Sequence, residues 1–247
     1  MSILLILLIL VCIFAIYSII PTLVIRAFSI GIFKSAHIKN KAALTFDDGP
    51  NPSYTPRLLD LLKSHGIKAT FFVVGENAKA YPEIISRMHR EGHTIGTHHY
   101  RHISNWLLTP REVKEQCRLA AETIEMITGK RPVYYRPPWG HLNLFVNWAS
   151  RPYKIIMWSA ILGDWRYKLG KDKLKQRLHK SLHEGAVIVL HDSGQNIGAD
   201  QLAPEMMLQA LEEFLQEKND KIEFVPIDVL CQHEESKESL IEDNLNK

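Results

Sequence analysis

Two adjacent carboxylates, Asp47 and Asp48, stand in the run Thr45-Phe46-Asp47-Asp48-Gly49-Pro50, at the end of an apolar stretch and ahead of a Gly-Pro turn. Neighbouring carboxylates can serve as a metal ligand and a general base, although Asp-Asp-Gly-Pro alone also reads as a polar turn. Three histidines crowd into His98-His99-Tyr100-Arg101-His102. On a helical turn the i, i+4 spacing of His98 and His102 puts two imidazoles on one face, which suits a metal site that takes a third ligand from elsewhere. His99, and His93 upstream of it, read as members of a solvated polar loop. In Arg136-Pro137-Pro138-Trp139-Gly140 two prolines stiffen a turn. Such a turn can hold an arginine against a carboxylate and aim a backbone N–H at a developing oxyanion. Gly163-Asp164-Trp165 and Leu190-His191-Asp192 complete the set. A histidine that ends a buried strand beside Asp164 and Asp192 can keep its proton near neutral pH and act as a general acid.

These groups fall after short apolar runs that predict strands at residues 42–46, 69–74, 93–96, 133–136, 153–159, 186–190 and 222–227. Between most of them lie helical patterns at 55–65, 78–90, 110–128, 142–149, 171–184 and 201–217. Strand and helix alternate, so a parallel sheet follows. Seven such units favour a relative of the (β/α)8 barrel over an open doubly wound sheet, and there the strand C-termini carry the chemistry.

Net charge is +3 and no long basic run occurs, so nucleic acid is not indicated. The three cysteines, Cys12, Cys117 and Cys231, have neither disulfide nor zinc-ligand spacing. A metal would therefore fall to histidines and carboxylates. From Ile3 to Ile25 there is no charged residue, which reads as one transmembrane helix. A signal peptide would want a basic start and a small-residue cleavage site, and neither is present. The stretch from Thr22 to Ala36 reads as lying along the membrane surface, with the soluble domain beginning near Ile38. Arg26, Lys34, Lys39 and Lys41 follow the span, so the positive-inside rule puts the domain in the cytoplasm. The polar segment 232–247 reads as a disordered tail.

In this order, TFDDGP, H-x-x-x-H, RPPWG, DW and LHD resemble the five motifs of the NodB-homology polysaccharide deacetylases, carbohydrate esterase family 4, over Lys41 to Ile227. The resemblance implies an α/β fold, a distorted (β/α)7 barrel at 38–231 behind a transmembrane anchor and juxtamembrane segment at 1–37. It implies a hydrolase that removes N-acetyl groups from the amino sugars of peptidoglycan, a chitin-like polymer or another glycan. Asp47 would be the base, held by Arg136. Asp48, His98 and His102 would bind a divalent metal, zinc by preference and cobalt in some members. His191, oriented by Asp164, would be the acid. The Trp139 N–H would meet the oxyanion, and Trp165 and Leu190 would wall the acetyl pocket. An exported glycan would put the domain outside the cell, against the positive-inside rule. A lipid-linked amino sugar, an O-acetylated xylan, or a non-catalytic glycan-binding role are the other readings.

Three positions depart from the family pattern. His99 stands where Ser or Thr is usual, Trp139 replaces Tyr, and Ile161 lies near the place of a missing aspartate.

Overall fold

The apolar runs fold into a parallel sheet curled on itself. The structure, a computed structural model, describes residues 2–217 and 221–245. Its strands are β1 (Ile32–Phe33), β2 (Lys41–Asp47), β3 (Thr70–Val73), β4 (Thr94–Thr97), β5 (Tyr134–Tyr135), β6 (Lys154–Ile156), β7 (Ala160–Ile161), β8 (Val187–His191) and β9 (Glu223–Phe224). They run in the order β1-β6-β5-β4-β3-β2-β8-β7, with β9 added to β2. β6 and β7 stand at opposite ends of a seven-strand path, yet only Met157, Trp158 and Ser159 separate them in the chain. The path must therefore curl until its ends meet, which makes the distorted seven-stranded barrel that the resemblance implied.

Parallel strands covered on both faces carry continuous apolar runs, and β2, β3 and β8 are buried almost throughout. Outside the barrel, Leu44, Phe46, Ile188 and Leu190 pack against Leu58, Ile85 and Leu211 of the surrounding helices. Inside, the largest fully buried side chain is Arg136, its guanidinium 4.1 Å from the ring centroid of Phe72.

The helices at Thr55–Ser64, Pro110–Thr128, Lys171–Ser181 and Ala203–Glu217 match the expected stretches. The stretch expected as one helix at 78–90 is two, Gly75–Ala80 and Pro82–Arg90. Pro82 has no N–H to continue the first and is well suited to begin the second. Of 142–149 only Val146–Ala149 is helical.

Two terminal expectations differ more. The segment from Thr22 does not lie free of the domain, because Thr22 and Ile25 are buried against it and β1 pairs with β6. The apolar helix Ile3–Phe28, long enough to cross a membrane, thus passes into the sheet through only three residues. At the other end, the tail read as disordered from 232 belongs to the helix Ile227–Leu245. Buried Ile227, Leu230 and Cys231 hold its first turns, so each further residue adds a hydrogen bond without a new nucleation cost. Glu235 also reaches Lys154 at 2.8 Å. Residues 246–247 lie outside the described residues.

Candidate active site

Register assembles the site. β2 and β8 pair so that Asp47 lies opposite His191, and β4 and β5 end one residue before His98 and Arg136. On a regular strand two successive carboxylates would point to opposite faces. Asp48 instead takes a left-handed φ of 78°, and both Asp47 and Asp48 line one cleft. Gly49 is required beside them, since a Cβ there would fall 2.3 Å from Asp192 Oδ2.

Asp48 Oδ1 lies 3.3 Å from His98 Nε2 and 3.1 Å from His102 Nε2. His102 does not reach this place along a helical turn. The chain leaves β4 as a loop that His99 reverses at a φ of 65°, and the loop's curvature brings the two imidazoles together. His98 Nδ1 donates to the Arg136 carbonyl at 2.7 Å, so its Nε2 turns a lone pair to the site. Burial opposes the ionised form of Asp48, but the contacts with His102 and His98 outweigh it and hold the carboxyl well below the usual range. Burial pushes the His102 imidazole down, against the pull of Asp48. The two imidazole Nε2 atoms thus face Asp48 Oδ1, a buried oxygen without a protein hydrogen-bond partner. Buried acceptors facing one another call for a cation, and one carboxylate with two imidazoles is a donor set that suits zinc or a similar divalent ion.

Arg136 Nη1 donates to Asp47 Oδ1 at 2.7 Å and to Thr45 Oγ1 at 2.7 Å. Its Nε and Nη2 close on the carbonyls of Ile156 and Met157 at 3.1 and 3.0 Å. A buried guanidinium with these four acceptors is fixed in place, and so is the carboxylate it holds. Across the cleft, Asp164 accepts from the His191 backbone N–H at 2.6 Å and lies 3.1 Å from Nδ1. Burial disfavours the imidazolium, but Asp164 beside it raises the His191 pKa to about 10. Burial raises Asp192 to about 7, while the Thr55 hydroxyl donates to it at 2.5 Å.

Trp139 lines the cleft with its ring 4.1 Å from that of His102, and Trp165 stands edge-on to His191 at 5.4 Å. Leu190 is not brought there. Side chains alternate along β8, so Val189 and His191 face the cleft and Leu190 points into the outer core. His93 and His99 are not solvated either. His93 Nδ1 accepts from the Ala69 N–H at 3.1 Å, and burial lowers its pKa to about 4. His99 is wholly buried, 3.0 Å from the Ile103 carbonyl through Nδ1 and 2.7 Å from the Tyr135 hydroxyl through Nε2. It props the loop that carries His102.

Sequence reasoning missed Trp158 and the segment 196–199, which also line the cleft. Trp158 hid in an apolar run, and the segment carries no chemical signature. Ile161 lines the cleft as an apolar wall.

Residues 34–155 match the family described as polysaccharide deacetylase. The chain is 36% identical over 163 residues to a peptidoglycan-N-acetylglucosamine deacetylase of Bacillus cereus, covering 65% of this chain and 59% of that protein. It is 36% identical over 153 residues to the peptidoglycan-N-acetylmuramic acid deacetylase PdaA of Bacillus subtilis, covering 60% and 58%. The chain thus spans less than two thirds of these two relatives. Among solved structures, a peptidoglycan N-acetylglucosamine deacetylase crystallised with a hydroxamate-type benzamide aligns with a TM-score of 0.75 and 30% identity, over 83% of this chain and 95% of that one.

Proposed function

This chain belongs to the polysaccharide deacetylase family, and from that premise we propose that it is a metal-dependent hydrolase that removes N-acetyl groups from the amino sugars of a peptidoglycan-type glycan. The observation that carries the reading is the pairing of two differently poised halves in one cleft. Asp47 sits on the guanidinium of Arg136 at 2.7 Å, and His191 sits on Asp164 at 3.1 Å. One half suits a base and the other an acid.

Asp48, His98 and His102 hold the metal in this reading, with zinc as the preferred ion. When bound, the ion would supply Lewis-acid polarisation. Asp47 takes a proton from the attacking water as that water's oxygen bonds to the carbonyl carbon. The charge left on the carbonyl oxygen is met by the backbone N–H of Trp139. His191 gives its proton to the amide nitrogen, the C–N bond breaks, and acetate and a free amine leave. Trp165 and Val189 bound the space beside His191.

The helix Ile3–Phe28 is retained as an anchor in this reading. Tyr17 and Thr22 donate to the carbonyls of Leu108 and Leu142 at 2.7 and 2.6 Å, bonds that a cleaved signal would forfeit. A wall glycan as substrate puts the domain on the outer side of the membrane.

The full chain in detergent should release acetate from peptidoglycan fragments or chito-oligosaccharides, lose that activity with a chelator, and regain it with zinc or cobalt. Chelator-insensitive release would exclude the metal from the reaction. Asp164→Asn should shift the loss of rate on the alkaline side to lower pH. The acid works only while protonated, and removing Asp164 removes the largest pull that raises the His191 pKa against its burial, so that pKa falls. An unmoved alkaline limb would reject His191 as the acid.

A further inference from the structure

The N-terminal helix does not hang clear of the catalytic domain. Phe14 meets Trp106 edge-on with ring centroids 6.1 Å apart. Tyr17 packs on Phe145, and the Ser18 hydroxyl donates to the Trp106 carbonyl at 3.1 Å. Thr22 accepts from the Leu142 N–H at 3.0 Å and from the Trp106 indole at 2.9 Å. The polar side chains of the helix therefore face the protein. Its other side, at the same level, is Ile16, Ile19, Ile20, Leu23 and Val24, all exposed. A helix lying on a protein in water has the opposite polarity, so the medium beyond this one is apolar.

Length leads to the same place. Only Ile3–Ile13 precede the first of these contacts, and that length of helix rises about 16 Å. The hydrocarbon core of a bilayer is about 30 Å thick. Whether the helix crosses by carrying its docked half into the membrane or enters one leaflet alone, the flank it is docked on must touch lipid. That flank bears Leu107, Leu144 and Trp148, exposed by 74%, 53% and 61%. Its backbone polar groups near the helix, the Leu108 and Leu142 carbonyls and the Leu142 and Leu144 N–H groups, are already paired with Tyr17 and Thr22. Lipid could cover them without leaving a bond unmade.

The flank is also joined to the cleft. From Phe14 a line of rings runs through Trp106, His141 (3.7 Å), Trp139 (6.0 Å) and His102 (4.1 Å), a metal-site residue. Arg26, at the end of the helix, lies over Trp158, a wall of the same cleft. Its charge suits anionic lipid headgroups.

We propose that this flank is a bilayer seat and that the cleft works at the headgroup layer, on acetamido sugars carried by a membrane lipid. The seat stands on the geometry alone, whereas the substrate class rests on the deacetylase reading above. The test uses the full chain in phosphatidylcholine and phosphatidylglycerol vesicles whose acyl chains carry bromine near the headgroup. The tryptophan fluorescence should be quenched, and Trp148→Phe should remove part of the quenched emission. Equal quenching with and without Trp148 overturns the seat, and this readout needs no turnover. In the same vesicles, Leu144→Glu with Trp148→Glu should slow acetate release from a lipid-borne N-acetylglucosamine by about tenfold, given what a charge costs in lipid. Release from a soluble chito-oligosaccharide should be unchanged. Equal rates on both substrates in wild type and variant overturn the lipid-borne substrate. No acetate from either substrate in the wild type instead overturns the deacetylase reading, with the quenching result still deciding the seat.

Discussion

Asp47→Asn is expected to keep the bound metal and lose about a thousandfold in rate, within the range for a missing general base. The amide is nearly the shape of the carboxylate, and its oxygen can still accept from Arg136 Nη1, now 2.7 Å from Asp47 Oδ1. What it cannot do is take a proton from water. The metal residues Asp48, His98 and His102 are unchanged, so metal content by emission spectroscopy should equal that of the wild type. A variant that turns over at the original rate would remove Asp47 from the role of base. One that loses its metal would show that Asp47 is a ligand.

The second large effect is on folding. Arg136→Met should cost about 3–5 kcal/mol, because removing one member of a buried ion pair strands the other. The Asp47 carboxylate is 3% exposed, so the cleft offers water only a small part of it. The Ile156 and Met157 carbonyls lose their guanidinium donors as well. Against a total stability of about 5–15 kcal/mol this is a major loss. Thermal unfolding of the full chain would measure it, and Asp47→Asn in the Arg136→Met background should restore part of it. A loss below about 1 kcal/mol would mean that water or relaxation replaces the arginine, contrary to its burial.

The site was legible in the sequence wherever chemistry needs a local pattern. Asp47, Asp48, His98, His102 and His191 line one cleft, with Arg136 and Asp164 bonded behind Asp47 and His191, and strand spacing anticipated the parallel barrel. What escaped depends on contacts distant in the chain. His99 carries the same local signal as His98, and only Tyr135 and Ile103 show that it is structural. Leu190 escapes for a different reason. Adjacent residues on a strand face opposite ways, so proximity to His191 in the chain is distance in space. The short strand β1 had too few residues to show a period, and nothing in an apolar helix announces that Tyr17, Ser18 and Thr22 will be its inner face.

The direct passage from the helix Ile3–Phe28 into β1 limits how far the enzyme can work. An enzyme on a flexible tether sweeps a volume that grows with linker length, about 5–6 Å times the square root of the residue number. Here three residues join helix and sheet, and the strand they lead to is hydrogen-bonded to β6. On the proposed reading of the helix as an anchor, the active site would have one fixed height above the membrane, and its range would come from lateral diffusion. Substrate farther away in a thick glycan layer would then have to be brought to it, so such an anchored deacetylase would edit newly delivered chains and leave mature distant ones untouched.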